Sequence, residues 1–278
     1  PVVRIVQPAI SQTEKATHSR DQAIANAQKN LARMYDIATK NNTPVDVIVF
    51  PETTYPYMIV DNNLPFAKQL GVKTIIGSMS YRAGKFYNSL AVANADGQIE
   101  KLYSKSHLVP FGEYAPLGGL MPAPGNLTAG DGPEIINIEL AGQDLNFAPA
   151  ICYEIVFTDS LIPNKGNVEP NVVINITNDT WFGKTPGTYQ HLDMVRRYAI
   201  ESGLPSIRSN YSGISAFVAS NGKIISSLPI GVADYLDGQV GGDHMTIYRK
   251  IGRDGWMIIV LLFALCGAIC IRVQMRKD

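Results

Sequence analysis

The sequence predicts an α/β fold in which two sheets pack together with helices outside, followed by one transmembrane helix. Three observations support this prediction. Short β-type runs alternate with amphipathic stretches, Asp-Gly and Asn-Gly turn signals join pairs of runs into hairpins, and one uncharged run near the C-terminus is long enough to span a bilayer. We expect one domain at residues 1–248, a juxtamembrane linker at 249–254, a transmembrane helix at 255–273 and a tail at 274–278.

The first half of the chain is predicted to supply two helices and the first strands. Apolar residues recur at helical spacing over 21–41, which predicts an amphipathic helix with Ile24 on its apolar face. A second helix is expected near 64–70, and residues 88–105 are predicted to form a hairpin that turns at an Asp-Gly pair. The other strands expected in this half are 2–9, 45–52 and 73–80.

A loop rich in Gly and Pro, residues 110–133, leads into the second half of the chain. A helix is expected at 190–203, followed by a hairpin at 212–228 whose turn is an Asn-Gly pair. The strands expected in this half are 134–140, 145–152 and 171–178.

The run from Trp256 to Ile271, WMIIVLLFALCGAICI, has no charged side chain. As a helix it spans about 24 Å, and its flanks with a snorkelling Arg272 bring it close to the bilayer thickness of about 30 Å. A buried core helix is the alternative, but such a helix normally has a polar stripe. We therefore predict a membrane anchor. Basic residues lie on both sides of it, so charge does not decide its orientation.

Composition excludes several classes of function. Lys plus Arg equals Asp plus Glu at 24 each, which argues against nucleic acid or a strongly charged partner. Cys152 stands alone, far from Cys266 and Cys270, and this spacing fits neither a disulfide framework nor a zinc site. His107 and His191 have no second ligand at metal spacing, so we expect structural histidines and neither metal nor cofactor.

The start of the chain resembles the interior of a longer protein. It begins without methionine, already in the strand-like run PVVRIVQPAI, and has no charged region followed by an apolar stretch. We therefore expect a domain cut from a longer chain.

Three predicted strands end in a reactive side chain: Glu52, Lys105 and Cys152. Reactive residues often lie just past strand ends, where a rigid scaffold passes into a loop. A carboxylate can take the proton of a thiol, and an ammonium can stabilise both the thiolate and the oxyanion that forms when sulfur attacks a carbonyl. Spacing alone leaves open a surface carboxylate, a solvated lysine and a core cysteine.

The segments around these residues carry a family resemblance. VFPETTYP, YSKSHLVPFGEYAPL and ICYEIVF resemble the catalytic blocks of the nitrilase (carbon-nitrogen hydrolase) superfamily. HLVPFGEY, NDTWFG and the segment Gln190–Arg208 resemble its membrane branch, the bacterial apolipoprotein N-acyltransferases, and the likeness covers essentially the whole chain.

The resemblance implies a four-layer αββα sandwich with Glu52 as base, Lys105 as electrostatic stabiliser and Cys152 as nucleophile. It implies transfer of an acyl chain from a phospholipid, through a cysteine thioester, to the N-terminal diacylglyceryl-cysteine of an apolipoprotein. It also implies a place in the bacterial inner membrane, with the catalytic domain on the periplasmic face and further membrane helices before it.

Several neighbouring residues are candidates for supporting roles. The resemblance makes Glu113 a second carboxylate near the nucleophile that holds Lys105 or a water. The amide of Tyr153 is placed to donate to an oxyanion and Glu154 to orient Lys105 or the loop backbone, although both alternatively pack the turn after the strand.

Two apolar features near the predicted site are candidates for lipid contact. Trp181 and Phe182 suit an acyl chain or the membrane interface, or pack on the domain edge. The loop 116–127 is interpreted as a lid that dips towards lipid, with an ordered surface loop as the alternative.

Two rival functions remain. One is a membrane-tethered amidase of the nitrilase family that resolves its thioester with water, and the triad residues alone do not exclude it. The other is a tethered binding domain that has lost its chemistry. The HLVPFGEY and NDTWFG segments favour acyl transfer.

Overall fold

The computed structural model describes residues 1–11, 19–115, 126–157, 161–163, 168–183, 185–239 and 241–275. Within these residues two six-stranded mixed sheets are present. The first has the strand order β12-β1-β2-β3-β4-β5: Asp234–Gln239, Val2–Gln7, Val47–Val49, Lys73–Arg82, Lys85–Ala93 and Ile99–Ser104. The second has the order β11-β10-β9-β8-β7-β6: Ile224–Leu228, Ser215–Val218, Ser206–Asn210, Val172–Thr177, Gln143–Ile151 and Ile136–Leu140.

Both sheets are parallel at the centre and antiparallel at the margins. In the first sheet β1, β2 and β3 run parallel, and in the second β7, β8 and β9 do. Parallel neighbours need crossover connections, and helices supply much of them: α1 (Arg20–Ala38) between β1 and β2, α2 (Pro65–Leu70) between β2 and β3, and α3 (Gly187–Ser202) between β8 and β9. The carboxyl ends of the central strands therefore meet at one edge of each sheet.

Strands in the middle of the sandwich contribute to two cores at once. Val47 and Val49 face the other sheet, whereas Ile48 between them packs under α1 and α2. The second sheet does the same, with Ile174 in the core between the sheets and Val173 under α3. Alternate side chains of a strand point to opposite faces, so burial on both faces explains the nearly continuous apolar runs. The predicted four-layer αββα arrangement is confirmed.

The structure differs from the predicted elements in several places. The helix predicted over 21–41 ends at Ala38, and Ile24 is 43% exposed rather than buried. The strand predicted over 45–52 ends at Val49, which leaves Glu52 in the segment that follows it. Two strands were missed, β9 and β12. β9 has the polar sequence SIRSN although all five residues are buried, and β12 is an edge strand held to β1 by the ion pair Arg4–Asp237 at 2.7 Å.

The C-terminal helix α4 runs from Ile247 to Gln274, with a non-helical residue at Gly252. Asp254–Arg272 has a mean hydropathy of 2.3 and none of it is buried, so within the described residues this helix is long and apolar enough to cross a membrane. The predicted apolar helix is confirmed, and its exposure does not fit a core helix. The stretch expected to be a linker, 249–254, is helical apart from Gly252.

The start of α4 is attached to the domain. Thr246 donates to the carbonyl of Glu201 at the end of α3, and Arg249 forms an ion pair with Glu169. Residues 116–125 of the predicted lid and 276–278 of the tail lie outside the described residues.

Candidate active site

Cys152 is the first residue after β7 and begins a 3₁₀ turn, Cys152–Val156. Its φ of +53° lies in the left-handed region, which costs a non-glycine residue about 1–2 kcal/mol. Strain of this kind persists only where the surroundings hold it, and it is concentrated at functional sites. The structure thus presents the sulfur at a sharp bend between a buried strand and a polar turn.

The structure brings Glu52, Lys105 and Cys152 together. Lys105 Nζ lies 3.8 Å from Glu52 Oε1, and the charges of both groups act on the Cys152 thiol. Glu52 and Lys105 come from the first sheet and Cys152 from the second, so the site lies where the strand ends of the two sheets meet.

Lys105 is held almost entirely out of water. Its side chain is 1% exposed, and Nζ donates to Glu113 Oε1 at 2.9 Å. Burial alone lowers the pKa of this ammonium, but the negative charges of Glu52, of Cys152 when it is ionised, and of Glu113 outweigh burial and raise its pKa. Lys105 is therefore a cation at neutral pH. Glu113 also accepts from the amide of Val109, which ties the loop after β5 to the lysine.

Burial raises the pKa of the Cys152 thiol, whereas it acts to lower the pKa of the Lys105 ammonium. Although the residue is partly exposed, desolvation of the thiol and the charge of Glu52 raise its pKa to about 12, against the opposing effects of Lys105 and a hydrogen bond from Thr177. At neutral pH Cys152 is consequently a thiol, and attack of its sulfur on a carbonyl would require a base that removes the proton.

Glu52 is positioned to be that base. Oε1 accepts from Asn88 Nδ2 at 2.7 Å, and Oε2 accepts from the amide of Asn178 at 2.9 Å. A glycine permits this geometry: a Cβ at Gly77 in β3 would lie 2.5 Å from the Cα of Glu52. Gly130 permits a similarly close approach next to Lys105: a Cβ added at Gly130 would lie 2.1 Å from the carbonyl oxygen of Ser104.

Glu154 organises the backbone around the site. It is 1% exposed and accepts hydrogen bonds from the amides of Ser106, His107 and Ile151 and from the hydroxyl of Tyr103. The sequence left two roles open for Glu154, orienting Lys105 or orienting the loop backbone. Its contacts are with the loop backbone, and within the described residues no contact joins it to Lys105. It links the loop after β5 to the end of β7.

The predicted aromatic candidates differ in exposure. Trp181 is 80% exposed and Phe182 is 39% exposed. Phe182 sits edge-on to His191 at a centroid distance of 5.9 Å, so it partly packs on the domain. Tyr153 is 38% exposed and contacts Phe157 edge-on. These aromatic side chains follow β7 and β8, the strands whose ends carry Cys152 and the amide bound to Glu52.

Sequence reasoning missed a buried polar cluster behind Cys152. The side chains of Asp179 and Arg208 are 0% exposed and form an ion pair at 2.6 Å, and Asn210 donates to the same carboxylate at 2.7 Å. The detectable signal was Asp179 directly after the predicted strand 171–178, but the polar sequence of β9 concealed that strand. Asn88 was missed as well, since one asparagine in a strand carries no pattern.

The two histidines considered in the sequence analysis have other contacts. The described residues contain no group of three or more His, Cys, Asp and Glu side chains arranged to hold a metal ion. His107 stacks on Phe157 at 4.6 Å, and His191 bonds with Asp179 and with the carbonyl of Cys152.

Comparison with known proteins gives consistent results. The family model described as carbon-nitrogen hydrolase matches residues 3–241. The apolipoprotein N-acyltransferase of Rhizobium etli is 37% identical, over 86% of this chain and 48% of that protein, and the one of Brucella suis is 32% identical, over 99% and 54%. The chain thus spans about half the length of these curated relatives.

Solved structures share the fold at low sequence identity. An amidase from Nesterenkonia sp. superposes with a TM-score of 0.64 at 14% identity, covering 92% of this chain and 94% of that one. A carbon-nitrogen hydrolase from Helicobacter pylori superposes with a TM-score of 0.58 at 17% identity, covering 85% and 88%.

Proposed function

The chain belongs to the carbon-nitrogen hydrolase family, and on that basis we propose that it is an N-acyltransferase. Its acyl donor is a phospholipid, and its acceptor is the N-terminal diacylglyceryl-cysteine of an apolipoprotein. The names of the relatives and the motifs HLVPFGEY and NDTWFG support this substrate pair. The observation that carries the chemistry is the convergence of Glu52, Lys105 and the Cys152 thiol in one largely buried site.

In the first half-reaction Cys152 attacks the ester carbonyl of the phospholipid. Because the thiol is protonated at rest, Glu52 takes its proton as the sulfur–carbon bond forms. The ammonium of Lys105, with the amide of Tyr153 as a second donor, stabilises the oxyanion. One such donor is typically worth about 2.7–4 kcal/mol in the transition state. Glu52 then returns the proton to the departing lysophospholipid alcohol, and a thioester remains on the sulfur.

In the second half-reaction the α-amino group of the acceptor attacks the thioester. Glu52 now accepts a proton from the amine, the carbon–sulfur bond breaks, and the proton returns to sulfur. Amide replaces thioester, and the thiol is regenerated. Transfer instead of hydrolysis requires that water be kept from the thioester.

Two further carboxylates keep this machinery in place. Glu113 holds the Lys105 ammonium at 2.9 Å, and Glu154 anchors the loop that follows Lys105 to the strand that ends at Cys152. Neither is required to exchange a proton. Both act through the position of the lysine and the nucleophile.

The apolar helix and the aromatic rim link the chemistry to a membrane. Exposing a lipid chain to water costs about 0.8 kcal/mol per CH₂, so a nucleophile held at the bilayer surface avoids a large penalty. Exposed Trp181 and Phe182 suit the entrance for the acyl chain. We place the protein in the bacterial inner membrane with the catalytic domain, residues 1–248, on the periplasmic face and the span at 255–273.

Intact-protein mass spectrometry tests the proposal. The chain is incubated with vesicles of phosphatidylethanolamine and phosphatidylglycerol, and a mass gain of one acyl group is expected. Cys152→Ala should gain nothing, whereas Cys266→Ala/Cys270→Ala should gain as much as the parent. An adduct that survives Cys152→Ala, or a parent without an adduct, overturns the proposal.

A diacylglyceryl-cysteine peptide then separates the reaction types. A triacylated peptide is expected. Free fatty acid without acylated peptide would show a membrane-tethered hydrolase, and unchanged lipid and peptide would show a binding domain.

A further inference from the structure

The peptide carbonyl of Cys152 is hydrogen-bonded by a histidine from another element. His191, near the start of α3, places Nε2 3.2 Å from that carbonyl oxygen, and its side chain is 5% exposed. A carbonyl oxygen only accepts, so Nε2 carries a proton. This contact connects the backbone of Cys152 directly to α3.

The other ring nitrogen of His191 faces a buried carboxylate. Nδ1 lies 2.8 Å from Asp179 Oδ1. Burial acts to raise the pKa of Asp179, but the charges of Arg208 and His191 outweigh burial and keep it below its usual range. Asp179 is therefore ionised and can only accept a hydrogen bond.

Both ring nitrogens of His191 therefore have buried polar partners. Arg208 Nη2 also lies 3.2 Å from Nδ1, but its shorter contact is to Asp179 Oδ2 at 2.6 Å. The ring thus links the Asp179–Arg208 pair on its Nδ1 side to the carbonyl of Cys152 on its Nε2 side.

A second path leads from the same carboxylate to the sulfur. The hydroxyl of Thr177 lies 3.1 Å from Asp179 Oδ1 and also contacts the Cys152 thiol, so its one proton serves one of these two acceptors at a time. Cys152 thus has a contact with His191 at its carbonyl and a contact with Thr177 at its sulfur. A φ of +53° persists only where surrounding contacts hold the residue.

We propose that His191, supported by Asp179, is the positioning residue of the nucleophile: it holds the Cys152 peptide in the left-handed conformation that directs the sulfur towards Lys105. The inference rests on the proposed role of Cys152. His191 acts through the backbone of Cys152, because its Nε2 donates to the Cys152 carbonyl.

Two substitutions separate positioning from packing. In His191→Gln the amide nitrogen takes the place of Nε2 and keeps the bond to Cys152, whereas in His191→Asn it takes the place of Nδ1 and bonds only to Asp179. Both are measured in the full chain with the same vesicles, as the rate constant of acyl-enzyme formation and its dependence on lipid concentration, alongside the Tm.

The two variants should lose similar stability and differ in rate. A displacement of about 1 Å can cost about 100-fold in rate, so His191→Asn should be slowed about 100-fold at saturating lipid and His191→Gln by less than about tenfold. The lipid concentration for half-saturation should not change. Equal rates for the two variants, or rates that follow Tm, overturn the inference.

A measurement on the parent protein does not depend on whether a variant folds. The ring ¹⁵N chemical shifts of His191 at pH 7 should show Nε2 protonated, and an unprotonated Nε2 overturns the inference. If the parent forms no acyl-enzyme, the proposed function fails separately, and alkylation of Cys152 by iodoacetamide then tests positioning. There too the Gln variant should react faster than the Asn variant, and equal rates count against His191.

Discussion

At the scale of single residues, the protonation of Cys152 distinguishes this site from one with a preformed thiolate. Desolvation and the Glu52 charge raise the pKa of the thiol to about 12. The thiolate fraction should therefore grow about tenfold per pH unit through neutral pH and beyond, and in the proposed mechanism Glu52 removes the proton at pH 7.

Replacing Glu52 should move two measures of reactivity in opposite directions. Glu52→Gln removes a charge that raises the thiol pKa, so the pKa should fall and Cys152 should react faster with iodoacetamide at pH 8. Acyl-enzyme formation should drop by about 10²–10⁴-fold, because the base is lost. Peptide mass spectrometry measures the alkylation and intact mass the acylation.

Glu139→Gln is the matched control, since Glu139 is exposed on β6. It should leave both rates unchanged. A Glu52→Gln variant that is slower in both assays would contradict the role of Glu52 as a base that also opposes ionisation of the thiol.

Asn88 contributes to the same site by separating two carboxylates. Its Nδ2 donates to Glu52 Oε1 at 2.7 Å and lies 3.3 Å from Glu113 Oε1. Asn88→Asp removes the donor and adds a third negative charge. A hydrogen bond to a charged group is worth about 1.5–3 kcal/mol, so acylation should slow by about 10–150-fold.

Single-turnover acylation measures this effect. Asn137→Asp, at an exposed position on β6, should acylate at the parental rate. If Asn88→Asp acylates as fast as this control, Asn88 does not position Glu52.

At the scale of secondary-structure elements, the segment after β2 depends on its contact with β3. The amides of Thr54 and Tyr55 donate to the carbonyl of Gly77, whose own amide donates to Pro51. A side chain at Gly77 would meet only backbone atoms within 2.6 Å, and these cannot rotate away. The close backbone contact at Gly77 therefore determines the position of Glu52 relative to the sheet.

Gly77→Ala should weaken both the fold and the site. Overpacking of this kind costs about 1–3 kcal/mol, and the displaced Glu52 should slow acylation even when the protein is fully folded. Thermal unfolding and acylation are compared with Gly241→Ala, where a Cβ meets nothing within 4 Å and stability should change by less than about 0.5 kcal/mol. A Gly77→Ala protein with the parental Tm and acylation rate would show that β3 shifts to make room for the added methyl group.

At the scale of the whole molecule, we interpret the apolar helix as a device for substrate supply. The contacts that fasten α4 to the domain, at Thr246 and Arg249, precede the apolar stretch. Removing 255–278 therefore spares these contacts and takes away the exposed apolar surface.

The truncated chain should keep its chemistry and lose its access to bilayers. Acylation of Cys152 by a soluble short-chain ester should match the parent, whereas acylation by phospholipid vesicles should fall by at least about tenfold. Intact mass follows both reactions. Undiminished acylation from vesicles would separate the helix from catalysis.

Local pattern was sufficient for much of this molecule. The apolar runs of β2, β7 and β8 and the Asp-Gly and Asn-Gly turns predicted the sandwich, and the uncharged run predicted α4. Three reactive side chains at strand ends, with the motifs around them, predicted that Glu52, Lys105 and Cys152 lie together. These signals depend on residues that are neighbours in the chain, so a single sequence contains them.

Only the tertiary structure decided which polar residues act on Cys152. β9 escaped detection because the alternating apolar pattern is absent where Arg208 and Asn210 are buried in an ion-pair network. Asn88 carries no local signal, and His191 was expected only as a structural histidine, since both matter through contacts with residues distant in the chain. The raised pKa of the thiol depends in the same way on desolvation, which arises only when the two sheets pack together around Cys152.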